Sequence, residues 1–197
     1  MENIIFDLGR VLLNFQPQAF LQSLFGHPQL VRELKSAVFE SPEWAMLDRG
    51  VITQEEAVER LSNQHPELAE HIQMVFGRWF SILTPIESSV ELLYDLKKQE
   101  YGLYALSNFH REAFAHVYKK YEWFQLFDGM IISYAVQALK PEPAIYEALL
   151  TGYDLEPERC LLIDDLLANI EGGRQLGIRG IQYQNHAQLI RDLEQIL

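Results

Sequence analysis

A chain of 197 residues, 48% of them hydrophobic, is long enough for one well-buried core and a modest second unit, and its charged fraction of 22% is that of an ordinary folded domain. A formal net charge of −12 argues against gripping a nucleic-acid backbone by general electrostatics, because that affinity comes from clustered Lys and Arg. The start Met1-Glu2-Asn3 lacks the basic residues of a secretory signal, and no apolar run reaches the roughly 18 residues of a membrane span, so a cytoplasmic protein without membrane or nucleic-acid partners is expected.

The first element is Asn3-Ile4-Ile5-Phe6-Asp7, an apolar run that stops at an acid and is followed at once by Gly9, the pattern of a buried parallel strand ending at a loop. Residues 15–83 then show helical spacing and no convincing strand. Phe20, Leu21, Leu24 and Phe25 share one face, and Leu30, Leu34 and Val38 another. Thr53 with Glu56 forms a capping box ahead of Val58 and Leu61, and Leu68, Ile72, Val75 and Trp79 continue the spacing, with turns at Gly50 and Pro66.

From residue 84 the rhythm becomes strand and helix in alternation. Thr84-Pro85-Ile86-Glu87 predicts a helix with Thr84 as its cap, Pro85 at the first helical position and Glu87 as the capping-box glutamate, after which Ile86, Val90, Leu93 and Leu96 fall on one face. Strands are expected at 102–107, 129–133, 160–164 and 178–183, and a helix from Leu166 to Leu176 stops at Gly177. Cys160 opens one of these apolar runs and, having no partner for a disulfide, reads as a small core residue. The expected fold is α/β: a Rossmann-like parallel-sheet core from residues 1–14 and 84–197, with a small α-helical cap inserted over residues 15–83.

Asp7, Ser107, Lys140 and the Asp164-Asp165 pair all follow carboxyl ends of expected strands, the edge at which open α/β sheets bind ligands. A carboxylate nucleophile, a hydroxyl with an adjacent amide, a lysine and a second acidic pair are the parts of phosphoryl transfer through an aspartyl-phosphate. Each has a plainer reading as well. Asp7 would serve as a turn residue, Ser107-Asn108 or Asp164-Asp165 as a helix cap, Lys140 as a surface lysine, and Asn169, one turn past Asp165, either as a surface amide or as the group that orients an acid or the lysine.

Phe6-Asp7-Leu8-Gly9-Arg10-Val11-Leu12, Leu106-Ser107-Asn108, Lys140-Pro141-Glu142-Pro143-Ala144-Ile145-Tyr146, and Ile163-Asp164-Asp165 with Asn169 resemble, in order, the four motifs of the haloacid dehalogenase superfamily. The position of the helical insert resembles the subgroup capped just after the first motif, and the Asp7-Leu8-Gly9-Arg10-Val11 and Asp164-Asp165 to Asn169-Ile170-Glu171-Gly172 forms are most similar to bacterial α-glucose-1-phosphate phosphatases. The resemblance implies a magnesium-dependent phosphatase acting on a small-molecule phosphate ester, as a monomer or homodimer. It implies Asp7 as nucleophile, Mg2+ bound by Asp7, the Gly9 carbonyl, Asp164 and Asp165, and the phosphoryl group held by Ser107, Asn108 and Lys140.

The chain departs from that pattern at Gly9, where most phosphatases of the superfamily carry a second aspartate that protonates the leaving group. Loss of a general acid is typically worth about 10² to 10⁴ in rate. Three expectations arise from it: a preference for good leaving groups such as sugar 1-phosphates, an acid supplied from the cap by Glu43, Asp48, Glu55 or His27, or a weakly active or inactive binding protein. A metal-independent dehalogenase is the other enzyme class open to this nucleophile. Trp44, Arg49, Arg78, Trp79 and Arg10 are candidates for lining the cleft, and the aromatic ones fit a core role as well.

Overall fold

The computed structural model describes residues 1–197. Strand β1 (Asn3–Phe6) leads into a run of helices: α1 (Pro17–Phe25), α2 (Pro28–Leu34), α3 (Pro42–Arg49), α4 (Gln54–Gln64) and α5 (Ala69–Phe76). After α6 (Glu87–Lys98) the chain continues through β2 (Gly102–Ser107), α7 (Arg111–Lys120), β3 (Gly129–Ile132), the short α8 (Ser133–Val136), α9 (Pro143–Gly152), β4 (Cys160–Asp164), α10 (Leu167–Arg174), β5 (Arg179–Gln182) and α11 (His186–Ile196). No helix is long and apolar enough to cross a membrane.

All strand pairs are parallel and the sheet order is β3-β2-β1-β4-β5, so β1 lies at the centre, flanked by β2 and β4. Alternation of period two divides the strands between two cores. Ile4, Phe6, Leu103, Ala105, Leu161 and Ile163 face one side, whereas Ile5, Leu106, Cys160 and Leu162 face the other. The second side is closed by Ile145, Tyr146 and Leu149 of α9 and Ile170 of α10. Each fully buried large side chain here stabilises the fold by about 1.5–3 kcal/mol relative to exposure. Cys160 is fully buried in that smaller core, as its sequence context predicts.

The larger core runs without a break into the inserted helices, joining Ile4 and Phe6 to Leu21, Leu34, Val38, Leu47, Leu61, Ile72 and Trp79. A π-helical turn at Lys35–Phe39 joins α2 to the segment before α3 and carries the buried Val38. The Thr53–Glu56 capping box forms in full at the start of α4. The cap expected at Thr84 does not: Asn14 donates its side-chain amide to the Thr84 hydroxyl at 3.0 Å, and α6 begins three residues later at Glu87. Pro85 instead bridges to Leu13, tying the exit of β1 to the entry of α6.

Two glycines permit close approaches between elements that frame the carboxyl edge of the sheet. A Cβ on Gly172 in α10 would meet Pro141 Cβ and the Tyr146 hydroxyl at 2.9 Å, so only glycine lets α10 lie against the loop that carries Lys140. Gly50, with φ +72°, ends α3, and a Cβ there would lie 2.5 Å from the Tyr134 carbonyl oxygen of α8. The inserted helices and the sheet domain thus meet backbone to backbone at this seam.

Candidate active site

Strand β1 ends at Phe6, and the Asp7 amide still donates to the Ile163 carbonyl at 2.9 Å, which sets the Asp7 side chain at the carboxyl edge beside β4. Ser107, the last residue of β2, donates its hydroxyl to Asp7 Oδ1 at 2.7 Å. Lys140 Nζ stands 2.9 Å from Asp7 Oδ1, donates to Asp164 Oδ2 at 2.6 Å and donates to the Leu106 carbonyl at 2.7 Å. Three acceptors match the three protons of an ammonium group.

The sequence leaves Lys140 open as a surface residue; it is 5% exposed. Asn108 holds its loop in place, accepting from the Lys140 amide at 2.8 Å and donating to the Lys140 carbonyl at 3.1 Å. Asn169, also open between two readings, is buried and donates to both oxygens of Asp164 at 2.9 and 3.0 Å. With the Leu166 amide on Oδ1 at 2.9 Å, every side of the Asp164 carboxylate is occupied by a donor. Asp165 is less enclosed, and Arg10 Nη1 lies 3.6 Å from its Oδ2.

Charge and burial oppose each other here. Burial and the nearby Asp164 charge raise the Asp7 carboxyl and Lys140 and Ser107 pull it down, and the balance leaves it raised, at about 6. Burial also works against the Lys140 ammonium, but Asp7 and Asp164 outweigh it, so its pKa ends raised and the lysine stays charged. Burial and Asp164 raise Asp165, against Arg10 and Lys140.

Each of Asp7, Asp164 and Asp165 offers an oxygen within 4.8 Å of the others, a donor set of hard oxygens that fits Mg2+. Asp164 is the most committed of the three to protein donors, so Asp7 and Asp165 have more coordination capacity left. The amides of Leu8, Gly9 and Asn108 have no acceptor within the chain, although Leu8 is fully buried. Orphaned donors of this kind, on residues next to Asp7 and Ser107 at the strand ends, suit an anion.

Above this edge lies a cavity of about 80 Å³ lined by Gly9, Phe15, Trp44, Asp48, Trp79, Leu83, Asn108, Phe109 and His110. Of the four cap acids or bases singled out in the sequence, only Asp48 reaches it. Glu43 is buried inside the insert, where it accepts from Gln64 at 2.8 Å, and Glu55 and His27 are exposed. Trp44 and Trp79 line the cavity and pack in the core at once. Arg49 instead turns to Glu142, and Arg78 is exposed.

His110 carries no motif and is not among the residues that the sequence singles out. It is 2% exposed, packs 4.3 Å from the Trp44 ring and 5.1 Å from Trp79, and brings Nε2 within 3.2 Å of Asp48 Oδ1. Its position three residues past Ser107, on the same loop, is the signal that could have found it.

The family profile of haloacid dehalogenase-like hydrolases matches residues 1–177. A sesquiterpene phosphatase of Aspergillus oryzae, astK, is 26% identical over 98% of this chain and 95% of its own length. A phosphorylated carbohydrates phosphatase of Thermotoga maritima is 25% identical over 92% of this chain and 84% of its own. Among solved structures, an asp12ala mutant of a HAD family enzyme from Bacteroides thetaiotaomicron, in complex with magnesium and inorganic phosphate, superposes with a TM-score of 0.77 at 22% identity, covering 96% of this chain and 98% of that one.

Proposed function

This chain belongs to the haloacid dehalogenase-like hydrolase family, and within it we propose that it is a magnesium-dependent phosphatase that cleaves small phosphate monoesters through an aspartyl-phosphate on Asp7. The observation that carries the reading is the Asp7 carboxylate itself, fixed by Ser107 and Lys140, with acceptor-free amides on the next two residues, Leu8 and Gly9, and on Asn108 next to Ser107. A carboxylate held in this way presents its second oxygen to a phosphoryl group that the free amides of Leu8, Gly9 and Asn108 would receive.

Asp7, the Gly9 carbonyl and Asp165 would hold Mg2+, with Asp164 orienting Lys140 or acting through water. The bound ion would supply charge that lets an anionic phosphate approach an anionic carboxylate. Lys140 keeps Asp7 ionised despite its burial, and Ser107 fixes which Asp7 oxygen is turned away from phosphorus. The helices of residues 15–83 act as a cap over a core of residues 1–14 and 84–197, excluding water from the cavity.

Two of the relatives described above are named as phosphatases, one for a sesquiterpene and one for phosphorylated carbohydrates. A sugar 1-phosphate suits a site with Gly9, since its anomeric oxygen leaves with little protonation. The lining of Phe15, Trp44, Trp79, Leu83 and Phe109 favours a second reading, an apolar alcohol as leaving group.

Both are resolved by assaying sugar 1-phosphates, sugar 6-phosphates and apolar alkyl phosphates with Mg2+ and with a chelator, beside Asp7→Asn. Hydrolysis that needs Mg2+ and disappears in Asp7→Asn is the expected result. Full activity in Asp7→Asn would overturn the nucleophile assignment. Chelator-insensitive release of halide from haloacids would favour the dehalogenase reading, and Mg2+ binding without turnover of any ester would favour a binding protein.

A further inference from the structure

We infer that Asp48, carried on α3 of the inserted helices, is the proton donor that replaces the missing side chain at Gly9. The inference rests on the phosphatase reading above. Asp48 and Gly9 line the same cavity, on opposite elements, beside Asn108. The backbone end of Asp48 is fixed, because its carbonyl accepts from the Ser133 hydroxyl and the next residue, Arg49, is tied to Glu142 and to the Gln137 carbonyl. The Asp48 carboxyl has no cation. Its polar neighbour is His110, whose buried Nε2 approaches Oδ1 to 3.2 Å without an aligned hydrogen-bond partner anywhere in the chain.

A carboxylate facing Phe15, Trp44, Trp79, Leu83 and Phe109 with no positive partner is costly as an ion and inexpensive as an acid. Burial and the charge of Asp7 accordingly raise Asp48 to about 8, while burial lowers His110 to about 3. At neutral pH the pair is thus a protonated acid beside a neutral imidazole. That is the state a general acid requires before the first bond breaks. The charged or titratable groups that bear on Asp48 are His110 from the loop after β2 and Asp7 from the end of β1.

The chemistry balances in two steps. An Asp7 oxygen bonds to phosphorus as the bond from phosphorus to the ester oxygen breaks, and that oxygen takes the Asp48 proton and leaves as the alcohol. Water then bonds to phosphorus and gives a proton to the Asp48 carboxylate as the bond to Asp7 breaks. Phosphate departs, with Asp7 ionised and Asp48 protonated again.

The test is Asp48→Asn, followed in single turnovers with an alkyl phosphate and with 4-nitrophenyl phosphate, whose leaving group needs no proton. Phosphorylation of Asp7 by the alkyl ester should slow by about 10² to 10⁴. The aryl ester should still give a burst of about one equivalent of nitrophenolate, after which the phosphoenzyme persists because water lacks its base. Adding Gly9→Asp to Asp48→Asn should restore alkyl-ester turnover, since a Cβ at Gly9 meets no atom within 4 Å.

Equal slowing of phosphorylation by both esters, or no slowing with the alkyl ester, would overturn the assignment. If Asp48→Asn does not fold, the wild-type ratio of alkyl to aryl phosphorylation rates serves instead. It should fall as pH rises past about 8, and a flat ratio would overturn the inference. Failure of the phosphatase reading itself looks different, because the wild type would then give no burst with the aryl ester.

Discussion

Two aspartates, Asp7 buried and Asp48 partly so, stand on the two sides of the seam between the sheet and α3, and the protein treats them oppositely. Asp7 sits at a strand end with a lysine 2.9 Å away and a serine hydroxyl on one oxygen, and the amides of the next two residues have no acceptor. Asp48 sits on a helix across the cavity with aromatic rings and an imidazole, and with no cation. Burial raises both carboxyls, to about 6 and about 8, but only Asp7 has a charge that works against the rise. The contrast teaches that desolvation alone does not define a role. On the roles proposed above, a nucleophile has to stay ionised in a dry site and a general acid has to stay neutral there, and the placement of one lysine would separate the two.

The largest effect is expected from removing that lysine. Lys140→Met would leave Asp7 and Asp164 facing each other in the interior without a cation, and breaking a buried pair from one side costs about 3–5 kcal/mol. Denaturant unfolding at neutral pH reads this directly, and added Mg2+ should recover part of the loss. Unchanged stability without metal would show that Lys140 is not what keeps Asp7 charged.

A smaller and pH-dependent effect is expected on the other side. The folded-state pKa of Asp48 lies above the ordinary aspartate value of 3.8, at about 8, so folding favours its protonated form. The wild type therefore has this contribution in full below about pH 4 and loses it as pH rises toward 8. Asp48→Asn cannot ionise, so its stability relative to wild type should climb across that window, by an amount on the order of a few kcal/mol. Parallel stability-against-pH curves for the two proteins would break the comparison.

The smallest effect belongs to the seam that carries Asp48. Arg49 and Glu142 join α3 to the segment before α9, but both are about a third or more exposed. Arg49→Gln should change stability by no more than about 1 kcal/mol, and less in high salt. A larger loss that persists in salt would mean that the pair holds α3 in place, not merely sharpens its position.

The strand-end residues are readable in the sequence because their signal is local. An apolar run that stops at Asp7, Ser107 or Asp164 declares both the strand and the edge on which its last side chain lies. The Thr53–Glu56 box is readable for the same reason. Thr84 offers the same local pattern, yet Asn14, distant in sequence, takes its hydroxyl, so a tertiary contact overrides the cap. Asn169 cannot be decided until its distance to Asp164 is known.

Glu43 and Asp48 show the limit most sharply. They lie on the same short helix, and which of them meets the cavity depends on how that helix docks on the sheet domain. Nothing in the spacing of α3 records this. The importance of His110 comes from its being brought under Trp44 and Asp48 by elements far apart in the chain.

The glycine at the end of α3 has a mechanical consequence. With no room for even a methyl group between Gly50 and the Tyr134 backbone, any side chain at position 50 would push α3 away from α8. Asp48, two residues earlier on the same helix, would be carried with it, so the spacing across this seam is set by the absence of one carbon atom.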